Sequence, residues 1–444
     1  MARANTLFAL ESDAVTDPVA EMPDMVEVET TADAVMAQDS EVAETADDIE
    51  EATDASETLS KVQDVAEASV AQGEGLSQSA ADMTTVIVES ICNRLNIPST
   101  NLIPATEAFG STNTRLNSTK LALENIKDTI KKIWEGIKRG AKIVFDGITK
   151  FFKNLFSATA AIYNAATGIK KAAEQAAKDK KVVSDKENGK ILVPASIVSE
   201  DLKGSDLFKM LKVHATVTRN FIAPGVVLDE VAKDTEGSQD AKEKVYKALE
   251  TYFTTVFDTD DISELTHVKP GVTKASIGPF VGHKYFSVTL HKFFFFDDVD
   301  KDDGYGSCIL SIEQKKVEIG KDGVETDVLT LDEISKTCDD VIKIIAVTKS
   351  FDKRFEKWKQ QSDNFLTAAD KLASAIKDAE ADTDGKKKLL AIKRRLFSST
   401  FNTGNSMMTK IPSFNIQLSK VALKFASANL AKYAVPTGAS QLLK

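Results

Sequence analysis

Four histidines, three cysteines and one run of alternating aspartates are the residues of this chain best suited to chemistry, and none falls into a catalytic spacing. His214, His267, His283 and His291 form no HExxH or other ligand pattern, and the nearer pair, His283 and His291, has no acid at a fixed offset. All four read as structural residues. Cys92, Cys308 and Cys338 stand far apart without a CxxC, which fits a reducing compartment rather than a zinc knuckle or a disulfide framework. Asp298, Asp300 and Asp302 alternate as carboxylates do in a calcium loop, but Asp303 stands where glycine is needed and Ile309 where a bidentate glutamate is needed. That run, Asp297–Asp303, reads as a solvated loop between two strands. No GxxxxGK[ST] loop, no GxGxxG after a strand and no GxSxG elbow anchors nucleotide or hydrolase chemistry. The expectation is a protein without catalytic residues, cofactor or metal, and so not an enzyme.

What the sequence does carry is charge, divided along the chain. From Met1 to Glu107 there are 23 acids and three bases (Arg3, Lys61, Arg94), a net of −20, so with −11 overall the remainder carries +9. Residues 115–181 hold 15 bases and six acids. From Gly385 to Lys444 there are 11 bases and no acid, which leaves the middle of the body acidic. The leader's high charge and near absence of aromatic residues imply a disordered or transiently helical segment, because it buries too little to offset the entropy of ordering. The first residues offer an apolar run too short for a secretory signal, and no uncharged apolar stretch reaches about 18 residues, so synthesis in a cytoplasm and no transmembrane helix are expected.

The elements that would position these charges follow from periodicity. Leu123, Ile126, Ile130, Ile133, Ile137, Ala141, Val144, Ile148, Phe151 and Leu155 alternate by three and four, one apolar stripe of a helix over 115–156. Gly136, Gly140 and Gly147 predict bends in it, since each costs a helix about 1 kcal/mol relative to alanine. An Ala-rich helix follows over 158–177. Between 182 and 330 short β-branched and aromatic runs alternate with helical patterns at 202–211, 221–233 and 241–256, which predicts an α+β domain with a small antiparallel sheet. Ile344, Phe351, Trp358, Phe365 and Leu372 recur every seven residues, a long helix or coiled-coil arm that Gly385 should stop.

The predicted fold is therefore mainly α with a central α+β domain: long amphipathic helices flank a small antiparallel sheet behind a disordered acidic N-terminal leader. Its parts are a leader at 1–107, a basic amphipathic helical segment at 108–181, the α+β domain at 182–330 and a helical arm with a basic C-terminal region at 331–444. The amphipathic stretch 120–156 has three readings: a bundle helix buried in its own protein, a helix lying on an anionic bilayer, or a set of lysines neutralising nucleic-acid phosphates without sequence preference. The bases that would carry the last are Lys131, Lys132, Lys138, Arg139, Lys142, Lys386, Lys387, Lys388, Arg394 and Arg395.

The acidic leader, the small-x-Glu junction Ala105-Thr106-Glu107 in a linker flanked by Pro98 and Pro104, and a body opening with Ile126-Lys-Asp-Thr-Ile-Lys-Lys-Ile-Trp-Glu-Gly and Phe151-Phe-Lys-Asn-Leu-Phe together resemble the internal head proteins of giant tailed bacteriophages. The resemblance covers about the first third of the chain. It implies a virion structural protein made in the host cytoplasm as a precursor, cut by a prohead protease after Glu107 so that the product begins at Ala108, and kept in the capsid interior. It also implies capsid or scaffold core proteins and packaged DNA as partners, with ejection alongside the DNA. The same tripeptide pattern recurs at Glu11 and Glu57 in the leader, and at Glu124, Glu174, Glu250, Glu313 and Glu325 in predicted helices and strands. Accessibility of the linker singles out Glu107. The competing reading is a membrane-active or pore-forming protein that leader removal activates.

Overall fold

The computed structural model of the protein describes residues 25–98, 102–183, 190–193, 229, 232–233, 264–269, 272–280, 284–291, 308–314, 324–378 and 383–434. Its helices are α1 (Met25–Ala71), α2 (Gln78–Arg94), α3 (Thr112–Lys178), α4 (Leu331–Thr348), α5 (Phe351–Asp378) and α6 (Thr383–Leu430), with a 3-10 turn at Thr106–Phe109 before α3. Cross-helix pairs fix their directions. In α1 and α3, Ile49 lies beside Gly140 and Val42 beside Gly147, so the two helices are antiparallel. In α4, α5 and α6, Asn415 donates to Thr348, the Trp358 indole N–H donates to Asn405, and Phe365 stacks on Phe397. These pairs make α4 and α5 one helix, broken at Lys349 and Ser350, that runs antiparallel to α6. The result is a long four-helix bundle of α1, α3, α4 with α5, and α6, with α2 added at one end.

Every member of the predicted α3 stripe, from Leu123 to Leu155, is buried. Ser111 starts α3 with a capping box shared with Thr114, and the helix continues for 67 residues, about 100 Å at 1.5 Å per residue. The three glycines do not interrupt it. Two of them instead let α1 approach: a Cβ at Gly140 would stand 3.0 Å from Ile49 Cγ1, and one at Gly147 3.0 Å from Val42 Cγ2. Gly385 likewise lies inside α6 rather than ending a helix. The heptad residues Ile344, Phe351, Trp358, Phe365 and Leu372 are all buried, so they pack on their own chain.

The C-terminal helix α6 is the centre of the bundle, buried on nearly every side from Leu389 to Leu430, with polar residues such as Ser398, Asn405, Ser413 and Asn415 among its buried side chains. Where α3, α5 and α6 meet, Trp134, Phe145, Phe152, Phe355, Phe365, Phe397 and Phe401 form an aromatic cluster with centroid separations of 5.1 to 6.3 Å. Such separations suit edge-on and offset ring packing.

Two expectations of the fold class do not hold. The leader is not disordered over its described part: α1 contributes Val28, Ala32, Val35, Val42, Ala46, Ile49, Ala55 and Leu59 to the main core, and α2 contributes Val88, Ile91 and Cys92. Nor is the architecture arranged around a central α+β domain, because the helices turn their apolar stripes toward one another and the core they make is helical. Among the described residues the strands pair as β1 (Val182–Val183) with β8 (Tyr433–Ala434), β2 (Lys190–Val193) with β7 (Val324–Asp327), and β3 (Glu264–Lys269), β4 (Val272–Phe280), β5 (Lys284–His291) and β6 (Cys308–Gln314) in sequence order. Of the strand side chains that are described, Ile191 alone is buried, against Phe425 of α6. The helices expected at 202–211 and 241–256 lie outside the described residues, as does nearly all of that at 221–233.

Candidate functional site

The most developed charged feature is the seam between α1 and α6. In α1 there are 14 acids and one base; in α6, nine bases and one acid. Their antiparallel course brings these charges into register. Lys424 donates to Glu29 at 2.8 Å and Lys420 to Asp33 at 2.8 Å. Further along, Asn402 donates to Glu50 at 2.7 Å, one Arg395 nitrogen reaches both Glu57 oxygens at 2.9 and 3.0 Å, and Lys387 donates to Glu67 at 2.7 Å. Each step forward along α1 is a step back along α6. At the last position Lys127 of α3 also reaches Glu67, at 2.9 Å, so one carboxylate ties three helices together. Arg94 of α2 holds Glu51 from the other side at 2.9 Å.

The geometry perturbs this carboxylate. Burial acts to raise the Glu67 carboxyl, but hydrogen bonds from Lys127, Lys387 and Gln63 overcome it and hold the group at about 2. Glu29, paired with Lys424, is also lowered. Asp39 goes the other way: burial raises it, and the hydrogen bonds and charge of Thr409, Lys410 and Ser413 on α6 only partly counter that. Half-exposed pairs contribute about 0–1 kcal/mol each. They therefore set register and direction, while the Val and Ala stripe supplies most of the holding.

The sequence-derived bases separate into two groups. Lys131, Lys132, Arg139 and Lys142 stand exposed on the outer face of α3, and no ion pair among the described residues engages them. The others are occupied or covered. Lys138 lies between Glu135 at 2.8 Å and Asp370 at 3.0 Å; burial acts to lower it, and the two carboxylates leave it raised. Arg394 rests 5.0 Å over the Trp134 ring, and burial brings it down to about 10. Lys387 and Arg395 belong to the seam, Lys386 is half-buried, and the Lys388 side chain lies outside the described residues. Lys420 and Lys424, not singled out from the sequence, complete the row; what marks them is the fixed register to acids nearly 400 residues away.

The segment around Glu107 is not extended. Ala105 is exposed, but the Glu107–Ala108 bond lies in the 3-10 turn, where the Ala108 N–H donates to the Ala105 carbonyl at 2.9 Å. Ser118 Oγ donates to the Ala108 carbonyl at 3.2 Å. Phe109 is buried against Ala66, Leu76, Ala81 and Leu123, which anchors the turn from behind. The Thr106 and Glu107 side chains are outside the described residues. Ala55 and Ser56, which precede Glu57, are buried inside α1, and Glu57 itself is clasped by Arg395. Glu11 and Glu250 lie outside the described residues, and Glu124, Glu174, Glu313 and Glu325 sit in helices or strands.

Among the other candidates, His214, His283 and the run from Asp297 to Asp303 lie outside the described residues; His267 and His291 are on β3 and β5. Among the described residues no group of histidine, cysteine and acid side chains could hold a metal ion, and no helix is long and apolar enough to cross a membrane. The apolar stripe of α3, which could have met a bilayer, is covered by the chain's own helices.

A family model for phiKZ-like phage internal head proteins matches residues 27–428, a span that begins in α1, ends in α6 and so takes in both sides of the seam. No curated protein and no solved structure matches the chain.

Proposed function

The chain belongs to the phiKZ-like phage internal head proteins, structural proteins placed inside the phage head, and we propose that it is made as a precursor, cut after Glu107 and kept in the capsid with the packaged DNA. The observation that carries this reading is the seam: the acids that precede Glu107 lie against the bases that follow it. A cut between Glu107 and Ala108 severs the connection between those two sets and leaves a product with net charge +9. The exposed bases of α3, Lys131, Lys132, Arg139 and Lys142, supply contacts to phosphates without sequence preference. Those contacts would hold the product in a head filling with DNA and let it leave with the DNA on ejection.

Ala105-Thr106-Glu107 is the segment a prohead protease would read, since among the described matches it alone lies outside α-helix and strand. The 3-10 turn has to open for a protease to bind it, because cleavage needs extended backbone. Capsid and scaffold core proteins are the remaining partners in this reading. Mass spectrometry of purified particles tests it: the expected N-terminal peptide begins at Ala108. Particles that carry only chains continuous across Glu107 and Ala108 would overturn the processing step.

A further inference from the structure

We propose that the row Lys387, Arg395, Lys420 and Lys424 on α6, joined by Lys127 on α3, is a binding surface for a linear nucleic-acid polyanion, and that α1 occupies it as an internal mimic of that ligand. The proposal rests on the DNA-associated reading above and adds to it the surface and its control. Three observations lead to it. First, the row is long and narrow: from Lys387 to Lys424 it spans 37 residues, about 56 Å at 1.5 Å per residue. That is the length of about 16 base pairs at 3.4 Å each.

Second, the intervals between the acids that fill the row are irregular. Glu29, Asp33, Glu57 and Glu67 are separated by 4, 24 and 10 residues, and each finds its partner only because the two helices are locked in one register. An unrelated acidic protein would have to reproduce those intervals. A nucleic acid, with a phosphate every few ångströms, meets a base wherever one stands.

Third, the row opens onto bases that are already free. Lys131 lies one helical turn from Lys127 on α3, on the same face, and Lys142 and Arg139 continue that exposed surface. A polyanion held by these bases is adjacent to Glu67, at the end of α1 nearest the connection to Glu107. While the chain is continuous, α1 competes as an intramolecular ligand at an effective concentration in the millimolar range. Cleavage after Glu107 removes that advantage: α1 is then held only by its apolar stripe and ion pairs, and the balance shifts toward the nucleic acid.

The test uses the full-length chain with a specific protease site placed between Glu107 and Ala108, read before and after that bond is cut. Zero-length carbodiimide coupling followed by mass spectrometry reads Glu67–Lys387, Asp33–Lys420 and Glu29–Lys424, with Lys170–Asp339, a 2.7 Å pair between α3 and α4, as internal reference. A 30-base-pair duplex, bound at fixed ionic strength, should lower the three seam yields several-fold in the cut chain, lower them less in the continuous one, and leave the reference unchanged. DNA bound with all seam yields intact would overturn the proposal while leaving retention through α3 standing. Failure of every form of the chain to bind DNA would overturn both. Loss of the seam yields on phosphatidylglycerol vesicles but not on DNA would replace the nucleic acid with a membrane surface and overturn the proposal as well.

A second measurement does not depend on displacement. Glu29→Gln, Asp33→Asn, Glu57→Gln and Glu67→Gln together leave the apolar stripe of α1 in place and remove the carboxylates that face five bases, Lys127, Lys387, Arg395, Lys420 and Lys424. DNA affinity should rise, and the slope of log K against log salt should steepen by about 4–5. Adding Lys127→Gln, Lys387→Gln, Arg395→Gln, Lys420→Gln and Lys424→Gln should cancel the gain, and a gain that survives them would assign the binding elsewhere.

Discussion

Gly136, Gly140 and Gly147 lie on one helix within three turns of each other, and alanine substitutions at the three should have different effects if α1 is docked as described. Replacing an interior helical glycine by alanine favours the helix by about 1 kcal/mol. At Gly136 a Cβ meets nothing within 4 Å, so Gly136→Ala should show that gain in full. At Gly147 the new methyl would stand 3.0 Å from Val42 Cγ2, and at Gly140 it would stand 3.0 and 3.3 Å from two atoms of Ile49. Overpacking of this kind costs about 1–3 kcal/mol, which offsets or exceeds the helix term. The expected net effect at these two positions runs from about zero to a loss of about 2 kcal/mol, leaving a gap of about 1–3 kcal/mol between them and Gly136→Ala. Denaturant unfolding of the full-length variants, followed by helical circular dichroism, measures that gap. If all three variants gain the same stability, nothing rests on Gly140 and Gly147, and the placement of α1 on α3 is wrong.

Acid should loosen the seam at Glu67. Its carboxyl is held at about 2 in the fold against an ordinary value of 4.5, so its contribution is complete above 4.5 and is lost as pH falls toward 2. With solvent screening allowed for, the contribution is about 1–2 kcal/mol, and the stability difference between the natural chain and Glu67→Gln should shrink across that window in denaturant titrations. Gly404→Ala should be the most damaging single-methyl change in α6, because its Cβ would fall on the indole ring of Trp358, which is itself fixed by its hydrogen bond to Asn405. A loss of about 1–3 kcal/mol is expected from denaturant unfolding, and an unchanged midpoint would show that the indole is not seated there.

The sequence disclosed α3 well and α1 poorly, for one physical reason. The α3 stripe is built from Ile, Phe, Leu and Val, whose hydrophobicity stands out against any neighbours. The α1 stripe, Val28, Ala32, Val35, Val42, Ala46, Ile49, Leu59 and Ala66, has the same three-and-four spacing but is mostly small residues scattered among 14 acids. Judged alone, such a segment buries too little to order itself. It does not order itself alone: its charges are answered by bases in α6, and its small side chains fit the space left by Gly140 and Gly147. The same non-locality hid part of the candidate site. Lys131, Lys132, Arg139 and Lys142 are exposed as a lysine-rich helix face implies, whereas Lys387 and Arg395 are half-covered by acids that no local window contains.

The division of charge at Glu107 therefore has a different structural meaning from a loose tail attached to a folded body. Acidic leader and basic C-terminal helix are two sides of one interface, and the leader supplies one of the four long helices of the bundle. A cut after Glu107 would sever the covalent tie without touching the apolar stripe, the glycine contacts or the ion pairs that hold α1 in place. Departure of α1 would then uncover Gly140, Gly147 and the adjoining faces of α3 and α6 together with the row of bases. Nucleic acid can satisfy the bases but not the apolar faces. A processed product that has lost α1 must close its remaining helices over that gap or fill it with another apolar surface, so maturation by this route reshapes the bundle as well as its charge.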